Sequence, residues 1–120
     1  MTEWKVLLVD DEIEFRTTLS ERLRLRGFRV QEAGNGEEAF LGIEADKPDV
    51  VLLDVVLPGP SGFQILKRLR EQYPSIPIII LTGLGITKEG LELRAFDYLV
   101  KPVDIEVLVQ KIRDAIGNGR

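Results

Sequence analysis

The chain is expected to fold as a parallel α/β sandwich, on three observations. Short β-rich runs alternate five times with helix-length amphipathic stretches along its 120 residues, a pattern that belongs to successive βαβ units rather than to hairpins. Three of these runs are almost entirely Val, Ile and Leu, as central strands covered by helices on both faces require. Four of the strand ends carry residues that handle phosphate or metal: Asp10 and Asp11, Asp54, Thr82, and Lys101. Ligands of open parallel sheets bind at the carboxyl ends of the strands, where strand order reverses, so these four ends point to one site.

The first run, Lys5 to Val9, is followed by a helix that stops at Gly27, where a residue at positive φ is cheapest. The second, Phe28 to Ala33, is more polar and is placed at the sheet edge. Asn35 with Glu38 has capping-box spacing and starts a helix over Gly36 to Ala45. The third run is Val50 to Leu53. Beyond it, the loop from Val55 to Gly62 is too rich in Pro and Gly to continue a strand. Ser61 with Gln64 then opens a helix from Gly62 to Tyr73, and Pro74 and Pro77 punctuate the way to the fourth run, Ile78 to Leu81. The fifth run is Tyr98 to Val100. In the last helix Ile105, Leu108, Val109, Ile112 and Ile116 share one face, and Asp104 is placed to cap it. Right-handed crossovers leave few topologies for five such units. The expected one is the flavodoxin-like (βα)5 three-layer sandwich, with a five-stranded parallel sheet in the order 2-1-3-4-5. Its switch point, between strands 1 and 3, is where Asp10, Asp11 and Asp54 would lie.

Composition narrows the function. The length suits one domain, expected over 1–120 with a core from about residue 4 to 117 and no output domain in this chain. Sixteen basic against 20 acidic residues give a net charge of -4, which offers no electrostatic reason to expect direct nucleic-acid binding. There is no cysteine for a disulfide or thiolate site, the apolar runs fall short of a membrane span, and Met1 to Trp4 lacks a signal-peptide pattern. A cytoplasmic protein without a membrane partner is expected. With no histidine either, chemistry must run on carboxylates, hydroxyls and amines.

Asp10, Asp11 and Asp54 brought together would resist joint ionisation, and a hard cation with oxygen ligands would offset that. A carboxylate at Asp54 can attack phosphorus, the Thr82 hydroxyl and the Gly83 amide can donate to a phosphoryl oxygen, and Lys101 can bind phosphate as a point charge. Each residue also has a plainer reading. Asp11 and Glu12 would complement a helix dipole, Asp54 would begin a turn, Thr82 would be a good strand residue, and Lys101-Pro102 an exposed loop. Arg22, Arg24, Arg26 and Arg29 are read as a solvated surface near the end of the first helix.

In this order and on these elements, Leu8-Val9-Asp10-Asp11-Glu12, Leu53-Asp54-Val55-Val56-Leu57-Pro58, Leu81-Thr82-Gly83 and Asp97-Tyr98-Leu99-Val100-Lys101-Pro102 make the chain resemble the receiver domain of bacterial two-component response regulators. The resemblance runs from Lys5 to about Ile116. It implies that Asp54 accepts a phosphoryl group from a phosphohistidine on a sensor histidine kinase or phosphotransfer protein. It implies Mg²⁺, with Mn²⁺ as an alternative, ligated by Asp11, Asp54 and the backbone carbonyl of Val56, with Asp10 acting through water. Lys101 would pair with the phosphate, Thr82 would turn toward it, and Tyr98 would be the aromatic switch. The kinase would dock around Glu14, Phe15 and Thr18. A homodimer would use the helix after the fourth strand, the fifth strand and the last helix.

Two departures stand out. The stretch from Thr82 to Lys101 is about one helical turn shorter than the family pattern, carries Gly90 mid-helix, and has Arg94 where the family commonly has Gly. Val56 and Leu84 are apolar where polar side chains are common, which predicts a long-lived aspartyl phosphate. The alternatives are a phosphatase of the dehalogenase type, disfavoured because Val56 stands where that family has a second acid, and a receiver-like module that is never phosphorylated.

Overall fold

The computed structural model describes residues 3–55, 62–83 and 95–118. Within them run β1 (Lys5–Val9), α1 (Ile13–Leu25), β2 (Arg29–Ala33), α2 (Gly36–Ala45), β3 (Val50–Leu53), α3 (Gly62–Gln72), β4 (Ile78–Thr82), β5 (Asp97–Val100) and α4 (Ile105–Asn118). All strand pairs are parallel and the order is β2-β1-β3-β4-β5, as the element pattern predicts. Four of the five expected helices fall among the described residues. The expected helix between Thr82 and the fifth strand, with Leu84, Gly90 and Arg94, lies outside them, as do Val56 and Ser61.

Strand alternation divides the core. Leu7, Val9, Val51, Leu53, Ile78 and Ile80 face α2 and α3, where they meet Phe40, Ile43, Ile65 and Leu69. Val6, Leu8, Val50, Leu52, Ile79 and Leu81 face α1 and α4, against Leu19, Leu23, Leu108 and Ile112. Burial on both faces explains the unbroken apolar runs. Each fully buried Leu or Ile contributes roughly 1.5–3 kcal/mol, so β1, β3 and β4, buried at every position, are the fixed frame. β2 has one neighbour and is more polar, as its composition requires of an edge strand.

Among the described residues Asn35, Asp104 and Gly27 punctuate the helices as expected, with one change of partner. The Asn35 side chain accepts from the Glu38 N–H at 2.9 Å, but the Glu38 carboxylate returns to the Gly34 N–H at 2.7 Å rather than to Asn35. Asp104 caps α4 by accepting from the N–H groups of Glu106 and Val107. Gly27 has φ 92° and closes α1. Of the basic run, Arg24 pairs with Glu32, Arg26 with Glu106, and Arg29 with Asp46, which fits a solvated, charge-paired surface.

Gly62 has a different reason to be glycine. A Cβ there would overlap the backbone of Val55, the residue after Asp54, so the start of α3 presses directly on the end of β3. Gly27→Ala is expected to lower stability by about 1 kcal/mol through backbone strain. Gly62→Ala should lower it by about 3 kcal/mol through overpacking. Urea denaturation of both variants checks this, and an unchanged midpoint for Gly62→Ala would show that α3 does not bear on Val55.

Candidate functional site

Strand register assembles the site. Val9 pairs with Leu53, so the residues that follow, Asp10 and Asp54, leave adjacent strands side by side. The Asp54 N–H donates to the Val9 carbonyl at 2.9 Å, and the Asp10 N–H donates to Ala33 at 2.9 Å. Thr82 pairs with Val100 across β4 and β5, and its carbonyl accepts the Lys101 N–H at 2.8 Å. The chain thus delivers Asp10, Asp54, Thr82 and Lys101 to one end of the sheet. Asp10, Asp54 and Thr82 are buried there, and the peptide between Lys101 and Pro102 is cis.

At the centre is the Lys101 ammonium. It donates to Asp10 Oδ2 at 2.8 Å, to Glu12 Oε1 at 2.7 Å and to Asp54 Oδ2 at 3.0 Å. An ammonium has three protons, so each reaches a different carboxylate. The Phe15 ring lies 4.2 Å away, close enough for a cation–π attraction. Asp10 Oδ1 is held in turn by the Glu12 N–H at 2.9 Å.

Burial pushes the Asp10 carboxyl above its ordinary pKa, Lys101 and the Glu12 N–H draw it back, and the Asp54 charge pushes it up again. Burial alone would depress the Lys101 ammonium, but Asp10, Glu12 and Asp54 more than reverse this and hold it above its ordinary value. The site is a concentration of negative charge already holding one cation.

Most of the expected constellation is brought together, and one member was not anticipated. Carboxylate oxygens of Asp10, Glu12 and Asp54 lie within 4.8 Å of one another, whereas Asp11 is exposed beside them. Glu12 follows directly on the acidic pair, which was its only signal; instead of capping α1, its side chain reaches Lys101. The oxygen set fits a hard divalent cation, and the Lys101 ammonium occupies the position such a charge would neutralise. Gly83 is exposed immediately after Thr82, and Tyr98 on β5 is 38% exposed with its N–H on Asp97. Val56 lies outside the described residues.

Glu14, Phe15 and Thr18, expected to receive a kinase, line a groove of about 610 Å³ with Glu12, Lys101, Pro102 and Val103. A second cavity, of about 320 Å³, lies among Lys47, Asp49, Ser75 and Ala115. No helix among the described residues is long and apolar enough to cross a membrane.

The two raised pKa values act in different pH windows. Lys101 contributes stability below its ordinary value of 10.5 that is lost as pH rises through its folded value. Above 3.8, the ordinary value for Asp10, the unfolded chain ionises there before the folded one, so stability from that group falls until pH passes its folded value. Lys101→Met removes the counter-charge and should destabilise the metal-free protein at neutral pH by about 1–3 kcal/mol. The loss should shrink as pH falls through the raised folded value of Asp10 and its carboxylate takes up a proton. Urea denaturation from acid to neutral pH checks this, and a loss independent of pH would contradict it.

Comparison with known proteins bears on the family and the fold. The family model described as the response regulator receiver domain matches residues 6–113. The sporulation initiation phosphotransferase F of Bacillus subtilis is 37% identical over 119 residues, covering 97% of this chain and 93% of that protein. A protein of Cyanophora paradoxa described as the probable transcriptional regulator ycf27 is 42% identical over 115 residues, covering 93% of this chain but 48% of that one. The chain spans about half the length of several such relatives. Among solved structures, the chemotaxis response regulator CheY4 of Vibrio cholerae superposes with a TM-score of 0.87 at 34% identity, over 95% of this chain and 99% of that one. Five parallel strands in the order 2-1-3-4-5, the acid-and-lysine centre at their carboxyl ends and a family match over most of the sequence agree: the chain belongs to the response regulator receiver domain family.

Proposed function

We propose that this chain is a phosphorylation-controlled switch, in which Asp54 takes a phosphoryl group from a phosphohistidine on a sensor histidine kinase or phosphotransfer protein. The observation that carries this is the seat of Lys101. A part-buried ammonium bridges the buried carboxylates of Asp10 and Asp54, so the pocket is built to hold positive charge against the carboxylate that would react.

An Asp54 oxygen would form the new O–P bond as the donor's N–P bond breaks, and the imidazole would leave with the electron pair. Mg²⁺, or Mn²⁺ in its place, would be held by Asp10, Asp11, Asp54 and the Val56 carbonyl, and would neutralise charge on the phosphoryl oxygens. Lys101 would exchange carboxylate partners for a phosphoryl oxygen, with Thr82 and the Gly83 N–H donating to others. Tyr98, half exposed on the edge strand, would follow Thr82 inward. The groove over Glu14, Phe15 and Thr18 opens beside Lys101 and suits the docking partner. β5 and α4, with exposed Phe96, Tyr98, Val100 and Val107, would supply the output or dimer face. Such a switch turns over no metabolite, and a cytoplasmic setting follows from a kinase partner.

The expectation of no nucleic-acid partner fits poorly with a relative described as a transcriptional regulator. We therefore confine it to this chain's own surface, and a transcriptional output stands beside a relay role of the kind named for the Bacillus subtilis relative.

Incubation with Mg²⁺ and acetyl phosphate should add one phosphoryl group by mass, and Asp54→Ala should abolish it. Steady hydrolysis of a phosphate ester would instead favour the phosphatase, and no response to acetyl phosphate or beryllofluoride would favour an unphosphorylated module. Glu12→Gln should speed phosphorylation by up to about 5-fold, because it releases Lys101 from an exposed pair worth up to about 1 kcal/mol. Slower labelling would show that Glu12 assists transfer.

A further inference from the structure

Arg16 is unused by the site as described so far, yet it grips its backbone. It stands on α1, four residues beyond Glu12, with its side chain 19% exposed. Its Nη1 donates to the main-chain carbonyl of Asp10 at 2.8 Å, and its Nε donates to Glu32 Oε1 at 2.9 Å. Glu32 lies on β2, and Arg24 Nη2 is 3.8 Å from its second oxygen. One planar fork therefore ties α1, the end of β1 and β2 together. Lysine, a single point charge on a flexible stem, could not make both contacts in fixed geometry.

Holding that carbonyl does more than satisfy it. The peptide group is planar, so fixing the Asp10 C=O also sets the N–H and Cα of Asp11. The other hydrogen-bonding groups of Asp10 are occupied as well. Its N–H goes to Ala33, Oδ1 accepts from Glu12 and Oδ2 accepts from Lys101. Gly34 leaves the guanidinium its room, since a Cβ there would lie 3.0 Å from Nη1.

We propose that Arg16 is a positioning residue for the divalent-cation site, fixing the Asp10–Asp11 peptide so that the two carboxylates are presented together. The proposal rests on the Mg²⁺ site described under Proposed function. Hydrogen-bonded neighbours of metal ligands typically govern about 10- to 100-fold in metal affinity, and Arg16 holds a ligand loop in the same sense.

Calorimetric titration of the intact chain with Mg²⁺, alongside urea denaturation, tests it. Arg16→Met should bind Mg²⁺ about 10-fold or more weakly per folded molecule, and Arg16→Lys should restore only part of the loss. Gly34→Ala crowds the guanidinium without removing its charge, so it should weaken binding by a smaller factor and carries the test if Arg16→Met does not fold. Wild-type Mg²⁺ affinity in the folded variants, with only the urea midpoint lowered, would overturn the proposal and make Arg16 a staple of the fold. A wild-type chain that binds no Mg²⁺ would overturn the proposed function and this inference together.

Discussion

The carboxyl end of the sheet depends on the ammonium of Lys101. Parallel pairing of β1 with β3 places two aspartates on neighbouring chain ends inside the protein, where their charges repel and neither has bulk water to relieve it. Lys101 is what makes that arrangement tolerable. It arrives from the far side of the sheet, past β4, and reaches Asp10, Glu12 and Asp54 at once, while the Phe15 ring offers its negative face. The same contacts that steady the resting fold leave a lysine beside the carboxylate that would react.

The opposite end of the sheet shows what the same residue types do without such a site. Lys5 is buried at the start of β1, with Nζ on the Asp46 carbonyl at 2.6 Å and near its carboxylate at 3.1 Å, while the Lys5 N–H goes to Asp49. There one exposed carboxylate is met by Lys5 and by Arg29, and its pKa is lowered chiefly by the bond from Lys5. This is a structural tie. The functional end differs by crowding three carboxylates around one ammonium, which leaves negative charge to be met by something else.

Much of this was legible because it is local. Runs such as Val50–Leu53 and Ile78–Thr82 announce strands buried on both faces, Gly27 and Asn35 mark helix boundaries through their own backbone chemistry, and the strand-end acids stand where parallel topology puts ligands. What was not legible depends on partners distant in sequence. Glu12 reads as an ordinary acid at a helix start, and its bond to Lys101 spans 89 positions. Arg16 reads as one more charge on the polar side of α1, and nothing nearby tells that its fork closes on Asp10 and Glu32. Glu38 chose Gly34 over Asn35 because the loop, not the motif, sets which amide lies within reach.

The burial of the strands divides the centre mechanically. Asp10, Asp54 and Thr82 issue from β1, β3 and β4, buried at every position, whereas Lys101 follows β5, where half-buried and exposed positions alternate at the rim of the sheet. Opening free energies in a folded protein follow such differences in contact density, being highest in enclosed strands and lowest at edges. The acids therefore form an anvil and the lysine strand a lever, so a change of charge at the anvil would be felt first along the β5 margin of the sheet.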